Sequence, residues 1–401
     1  MKNIAIINTV NRGSTGKIGK GLLKNFLEKG YNAYFFYGRG AMSNNDRLVR
    51  INGKFEAKLH VIFGKIFGLA DNFSCFATKR LVAKLRKLEI DTVYIISPHG
   101  FYLNENIFYD YIQKDNIHLI YTMIDEYPYL GKCTNEAHCE KWKTGKGACP
   151  EIRRYPVSLF FDTCSYFIRR KSRNYSRVSR LLFVGPQFLI DRSKVAYLRQ
   201  YMNMIPLDES IDLEFYKPQD ASELRKRLGI DDSRKIVLFA GGPSKAPKYF
   251  TELALRFAEE KDYVFVHVGY PKDKATDLPS NYIPIGYVKD DSEFAMFYSM
   301  ADLFVFPSMR DCMPNTCLEA LACGTPLLIF NISGMPYLID NTVGNIVPPG
   351  DVDAMEKIVR NLQKKTTLVV KTCRGYAEKR YDGKKYIDKL IEITLKDEKK
   401  N

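Results

Sequence analysis

Along this chain, short solid apolar runs alternate with longer amphipathic stretches. NIAIINTV opens the series, followed by the loop NRGSTGK, the amphipathic GKGLLKNFLEKG and a second run, NAYFFYG. Together they predict a βαβ start. TVYIIS, HLIYTMI, RLLFVG, KIVLFAGG, YVFVHVG, DLFVFPS and TPLLIF repeat the theme. A run that is apolar throughout suits a parallel strand covered by helices on both faces. The series restarts at Lys235, after DLEFYKPQDASELRKRLGIDDSRK, which reads as a linker with one short helix. The expected fold class is α/β, with two doubly wound, Rossmann-like parallel-sheet domains facing across a cleft where strand ends meet.

Composition fits that picture. A chain of 401 residues, 45% hydrophobic and 27% charged, is long enough for two domains and too apolar to be disordered. No apolar run reaches the roughly 18 residues a membrane span needs, and MKNIAIINTV is too short and strand-like for a signal peptide, so the expected location is cytoplasmic. Nine cysteines in such a chain read as reduced thiols. The formal net charge of +15 attracts nucleic acid, anionic lipid or a phosphorylated substrate. No zinc-finger, RNP or helix-turn-helix pattern accompanies it, which argues against nucleic acid as a partner. Charge is densest in RRKSRNYSRVSR, Arg169 to Arg180, with six basic residues on a predicted helix. That face is expected against an anionic membrane surface; an ordinary solvated helix face is the alternative.

The chemistry concentrates in RDCMPNTCLEALACGTP. Asp311 and Glu319 lie eight residues apart after the run DLFVFPS, so they sit at a strand's carboxyl end, the usual place for ligands in an open α/β sheet. Pro314 suits a helix start and Asn315 or Thr316 a cap. Unpaired backbone N–H groups near residues 315–318 would then face a diphosphate, with Met313, Pro314, Asn315 and Thr316 at the donor, while Asp311 and Glu319 accept hydrogen bonds from hydroxyl groups. The bland alternative makes Asp311 a helix cap and Glu319 a surface charge.

PSMRDCMPNTCLEALACGTPLL, then ISGMPYLID and GNIVPPGD, resembles the donor-site signature of GT-B retaining glycosyltransferases of family 4. Asn315, Ala320, Gly324 and Pro326 stand in register with the two acids. The resemblance implies that Asp311, where the family usually has Glu, contacts the donor sugar and that Glu319 holds the ribose. In the first half NRGSTGKIGKGLL, SPHGFYLNENI, YTMIDEYPYLGKC, CEKW and GACP resemble, in order, transferases of bacterial capsule, colanic-acid and O-antigen clusters. Where that subgroup carries a histidine, this chain has Ile124, leaving Asp125 as the polar neighbour; His99 is the imidazole candidate. Gly13, Ser14, Thr15 and Gly16 fit neither a Walker nor a dinucleotide pattern, and by resemblance form a flexible loop at the acceptor or diphosphate; a tight strand-to-helix turn is the alternative.

The same resemblance assigns Lys248 to the diphosphate. The arginine that the family usually carries a few residues upstream is missing, with Lys245 as its expected substitute and two solvated lysines as the alternative; the backbone at Tyr287 and Val288 is expected at the base. The resemblance implies domains at 1–205 (acceptor side) and 206–378 (nucleotide-sugar side), with 379–401 crossing back in the helix YAEKRYDGKKYIDKLIEIT. The expected protein is a metal-independent, cofactor-free retaining hexosyltransferase. It would use a UDP- or GDP-linked nucleotide sugar and a lipid-linked or oligosaccharide acceptor, peripheral at the inner face of a bacterial membrane. A weakened sugar-nucleotide-binding scaffold and a nucleotide-sugar epimerase are the alternatives. Asp351 and Asp353, in DVD, read as helix-capping acids. A zinc site among Cys133, His138, Cys139 and Cys149 stays open on a spacing that is not a standard one.

Overall fold

The computed structural model describes residues 2–135, 139–242, 247–270 and 278–398. The chain divides into two compact units, Met1–Glu209 with Lys384–Asn401, and Ser210–Gly383. Each is built on a parallel sheet with helices, an α/β architecture as the apolar runs predict.

The first unit holds β1 (Asn3–Val10), β2 (Asn32–Arg39), β3 (Leu48–Arg50), β4 (Thr92–Ile95), β5 (His118–Thr122), β6 (Leu181–Gly185) and β7 (Met204–Pro206), in the order β3-β2-β1-β4-β5-β6-β7. Its helices are α1 (Gly13–Glu28), α2 (Lys54–Phe67), α3 (Cys75–Lys87), α4 (Glu105–Lys114), the short α5 (Lys141–Thr144), α6 (Cys164–Arg177) and α7 (Gln187–Ser193). The second unit holds β8 (Lys235–Ala240), β9 (Tyr263–Val268), β10 (Tyr282–Ile285), β11 (Leu303–Phe306), β12 (Leu327–Phe330) and β13 (Gly344–Val347), ordered β10-β9-β8-β11-β12-β13. Around it lie α8 (Ser222–Arg227), α9 (Pro247–Leu255), α10 (Asp291–Met300), α11 (Asn315–Ala322), α12 (Val352–Arg360) and α13 (Thr367–Arg380). Every predicted run became an inner strand of one of these sheets.

One expectation about the C-terminal end is corrected. YAEKRYDGKKYIDKLIEIT is not one helix but the end of α13 and a separate α14 (Gly383–Glu398). The chain breaks at Tyr381 and Asp382 because tertiary bonds compete with the helical ladder: the Tyr381 hydroxyl donates to the Leu338 carbonyl (2.6 Å), and the Ile211 N–H donates to the Tyr381 carbonyl (2.8 Å). Beyond the break, Tyr386, Ile387 and Leu390 pack with Ile4, Phe26, Tyr94 and Leu182 in the apolar core of the first unit.

No helix among the described residues is long and apolar enough to cross a membrane.

Candidate functional site

In the second unit the apolar strand β11 delivers the chain to α11. Pro314, at φ −69°, is the N-cap of that helix and offers no side-chain cap. This corrects the expected capping by Asn315 or Thr316, which instead occupy the first two helical positions. The Asn315 Oδ1 and Thr316 Oγ1 atoms are buried without a hydrogen-bond partner among the described residues. The first N–H groups of any helix lack an intrahelical acceptor, and its start carries partial positive charge. No acidic residue stands in the first turn of α11 to neutralise it. The result is a desolvated, donor-rich helix start.

Glu319 points inward from the next turn and is only 5% exposed, so it is no surface charge. Its Oε2 accepts from the Tyr298 hydroxyl at 2.7 Å. The Tyr216 hydroxyl bonds the same carboxylate, and burial followed by the Glu319 charge holds both phenols well above their ordinary pKa. Two neutral phenol donors thus fix a carboxylate whose oxygens together offer about four acceptor positions. Asp311 is half-buried, and its carbonyl accepts from the Gly334 N–H (3.2 Å), tying the segment to the turn after β12. Gly324 ends α11 at φ +82°, where a Cβ would meet Val370 Cγ1 at 2.6 Å.

Met313, Pro314, Asn315, Thr316 and Glu319 are therefore gathered on one strand-to-helix segment, with Met313 buried in the core. Lys248 is exposed at the start of α9, its Nζ 4.5 Å from the Tyr249 ring centroid. Lys245 lies outside the described residues. Tyr287 is 83% exposed and Val288 buried, just past β10. All of these follow strands of one parallel sheet and so belong to its carboxyl end, although β9 and β8 separate β10 from β11. Sequence reasoning missed His267. Buried in β9, it bonds the Tyr282 hydroxyl (2.7 Å) and the Gly241 carbonyl (2.9 Å), and burial lowers its pKa, so it stays neutral beneath the Gly241–Gly242 turn. A polar residue inside the run YVFVHV was the available signal.

In the first unit, Gly13 to Gly16 are not a flexible loop but the first turn of α1, reached through Gly13 at φ +68°. At Gly16 the turn packs too tightly on the end of the strand for a side chain: a Cβ there would sit 2.5 Å from the Asn11 carbonyl carbon. Asn8 braces it by donating to Thr15 Oγ1 (3.0 Å) and to the Val10 carbonyl (2.8 Å). Ser14 lies in the same turn and is exposed.

His99 and Asp125 meet, with His99 Nε2 2.8 Å from Asp125 Oδ2. An ionised carboxylate only accepts, so Nε2 carries the proton, and Nδ1 is buried without a partner among the described residues. Asp125 Oδ1 also accepts from the Tyr127 N–H (3.0 Å), and Tyr127 lies against the imidazole with centroids 4.9 Å apart. Ile124 packs against the apolar core. Below this pair is a buried network absent from the sequence reading. Arg170 bonds Glu105 (2.7 Å) and lies 3.5 Å from Asp71, while the Tyr127 hydroxyl donates to Asp71. Lys171 donates to the carbonyls of Tyr127, Leu130 (3.1 Å) and Gly131 (2.8 Å), and burial pushes its pKa down to about 7.

Arg170 and Lys171 are the second and third residues of RRKSRNYSRVSR. The expectation that this helix lays its basic face on a membrane is therefore overturned at these two charges, which point into the protein, where they meet the acids and carbonyls beneath α6.

Two doubly wound parallel sheets with a helix-start site at a strand's carboxyl end give the architecture of GT-B glycosyltransferases. Residues 234–365 match the family described as glycosyl transferases group 1, so the second unit carries a group 1 glycosyltransferase domain. One relative is the UDP-Gal:alpha-D-GlcNAc-diphosphoundecaprenol alpha-1,3-galactosyltransferase of Escherichia coli, 27% identical over 214 residues, which are 48% of this chain and 54% of that protein. The chain thus matches about half the length of that curated relative. Among solved structures, sucrose-phosphate synthase from Thermosynechococcus elongatus superposes with a TM-score of 0.69 at 15% identity over 99% of both chains. Anabaena HepE in complex with UDP and glucose gives 0.66 at 13% identity over 98% of this chain and 99% of that one.

Proposed function

We propose that the chain is a metal-independent, retaining hexosyltransferase that moves a sugar from a UDP- or GDP-linked donor to a lipid-linked or oligosaccharide acceptor of a bacterial surface glycan such as a capsule or O-antigen. The observation that carries the reading is the start of α11: a helix with no side-chain cap, two orphaned side-chain oxygens, and a buried carboxylate one turn inside. Donor N–H groups and helix charge suit a diphosphate, and Glu319, already held by two phenols, suits a ribose diol. Lys245 and Lys248 would add positive charge against the leaving diphosphate, with Tyr287 and Val288 at the base and Asp311 at the sugar. Catalysis then rests on positioning and on stabilising the departing diphosphate, with the acceptor proton leaving toward it. His99 and Asp125 supply an oriented imidazole with a buried, unpartnered nitrogen on the acceptor side, near the first turn of α1.

The relative that acts on an undecaprenol diphosphate favours a lipid-linked acceptor, and the surface of the first unit supports a membrane-side location. Phe55, Leu59, Ile62, Phe63 and Phe67 are exposed along α2, and Phe67 stacks on Phe161 with centroids 6.5 Å apart. Exposed Lys54 and Lys58 flank them. An apolar face bordered by lysines suits the interface of an anionic bilayer.

The test is thermal stability against a panel of nucleotide sugars. A donor present at about 100 times its Kd adds about 2.7 kcal/mol to the folded state, and Glu319→Ala is expected to lose that gain relative to its own baseline. A full shift in the variant removes Glu319 from the donor site. No shift and no hydrolysis with any nucleotide sugar would count against the enzyme, a shift without transfer or hydrolysis would favour the scaffold reading, and turnover without acceptor the epimerase.

A further inference from the structure

Among the described residues, the run from Met123 to Thr163, between β5 and α6, contains a single helix of four residues, α5. Irregular segments of this length are uncommon in compact domains and need fastening. Four of the nine cysteines converge where this run meets α6. Cys133, Cys139, Cys149 and Cys164 line one cavity of about 20 Å³, with Trp142 and Lys141. That volume holds about one water or one ion.

The sulfurs of Cys149 and Cys164 and a carboxylate oxygen of Asp162 lie within 4.8 Å of one another. In a tetrahedral zinc tetrathiolate, with bonds of about 2.3 Å, sulfurs sit about 3.8 Å apart, so Cys149 and Cys164 need only a small contraction, while Cys133 and Cys139, outside this close group, would move in from the cavity wall. Asp162 is already occupied as a brace. Its oxygens accept from the N–H groups of Cys149 (2.8 Å) and Cys164 (3.0 Å) and from Lys141 Nζ (3.0 Å), fixing the backbone of both cysteines. Both sulfurs also receive main-chain donors, Cys149 from Glu151 and Cys164 from Lys132, and a hydrogen bond between them lowers the Cys149 pKa and raises that of Cys164. The Trp142 indole N–H is buried with no partner among the described residues. It is a ready donor to a thiolate. Buried Lys132 and Lys141 offset negative charge, and Lys132 Nζ further ties down the carbonyls of Ile152, Arg154 and Pro156 (2.7, 2.8 and 3.0 Å). At Gly131 a Cβ would come within 3.4 Å of the Cys164 sulfur.

We propose that Cys133, Cys139, Cys149 and Cys164 bind one zinc ion as a structural tetrathiolate site that staples the Met123–Thr163 run to the start of α6. Zinc replaces the thiol protons, which pass to solvent, and no oxidant or reductant is involved. The spacing Cys133-x5-Cys139-x9-Cys149-x14-Cys164 escapes the short-range zinc patterns because its last member comes from a helix well beyond the cysteine-rich stretch. His138, grouped with these cysteines from sequence, lies outside the described residues. The same run carries Asp125 and Tyr127, so the metal would hold the polypeptide that orients His99.

The full-length chain, purified under reducing conditions after growth with zinc, is expected to contain about one zinc per chain by mass spectrometry of the metal. Cobalt exchange should give the charge-transfer and ligand-field bands of a tetrahedral thiolate site. Cys149→Ser and Cys164→Ser should lose the metal, whereas Cys75→Ser, at an exposed cysteine outside the cavity, should keep it. A metal-free chain with four reduced thiols overturns the proposal. So does a Cys149–Cys164 disulfide found by peptide mapping, or zinc retained by both serine variants. If the variants fail to fold, the wild-type stoichiometry and cobalt spectrum decide alone.

Discussion

Helices α2 and α6 of the first unit look, by composition, as though their roles should be reversed. α6, CSYFIRRKSRNYSR, is crowded with arginine and lysine and would be placed at the surface; α2, KFEAKLHVIFGKIF, reads as an ordinary core-facing amphipathic helix. In the fold α6 buries Arg170, Lys171 and Asn174 with Phe167 and Tyr175, while α2 buries little more than Ala57, His60 and Gly64 and turns its phenylalanines outward. The difference lies in what each helix finds beneath it. Under α6 are two buried carboxylates, Asp71 and Glu105, and a run of carbonyls with no strand to pair with, so cations there complete hydrogen bonds. Under α2 the space is filled by Ala70, Phe101 and Phe167, and among the described residues no layer of the unit covers Phe55 and Ile62 on the outer face.

The largest expected effect tests whether α6 is a pillar. Arg170→Ala leaves Glu105 and Asp71 buried without their cation, a change that typically costs about 3–5 kcal/mol. Arg173→Ala, at an exposed position on the same helix, should stay within about 0.5 kcal/mol. Urea denaturation of the two variants decides the point. Equal, small losses would return α6 to the role of a solvated basic face.

The same contrast explains how far the sequence could be read. The nine strands seen as apolar runs, β1, β2, β4, β5, β6, β8, β9, β11 and β12, are the inner strands of the two sheets; the four that were missed, β3, β7, β10 and β13, are the four edges. An inner parallel strand is covered on both faces and must be apolar throughout. LVR, MIP, YIPI and GNIV are short and partly exposed, with too little apolar pattern to register. The segment from Asp311 to Glu319 was legible because strand, proline and helix are contiguous there. The Asp71–Glu105–Arg170 network and the fourth cysteine were not, because their members come from separate elements and composition cannot say which charge turns inward.

A smaller effect probes the anchoring of α2. His60 is wedged between Ser74 Oγ and the Ala70 carbonyl, each 2.6 Å from a ring nitrogen, and burial pushes its pKa down from 6.5 to about 4. The folded state thus prefers the neutral ring. Its contribution to stability is complete above pH 6.5 and is lost as pH falls from 6.5 toward 4, by up to about 3 kcal/mol. Stability of His60→Gln, measured beside the wild type across this window, should fall less steeply. Parallel curves would show that His60 does not set the acid sensitivity of this helix.

The smallest effect concerns the outer face of α2. Phe63 and Phe67 stack on each other with centroids 6.4 Å apart, meet Phe73 at 5.9 and 6.4 Å and are each more than 40% exposed, so replacing both with serine should cost only about 1 kcal/mol of stability. If the face seats in an anionic bilayer, the same double variant forfeits apolar burial and should bind phosphatidylglycerol vesicles roughly tenfold more weakly than the wild type in a sedimentation assay. Arg173→Ala on α6 should bind as the wild type does. A double variant that sediments like the wild type while Arg173→Ala falls away would move the membrane contact back to α6, and with it the role that composition first suggested.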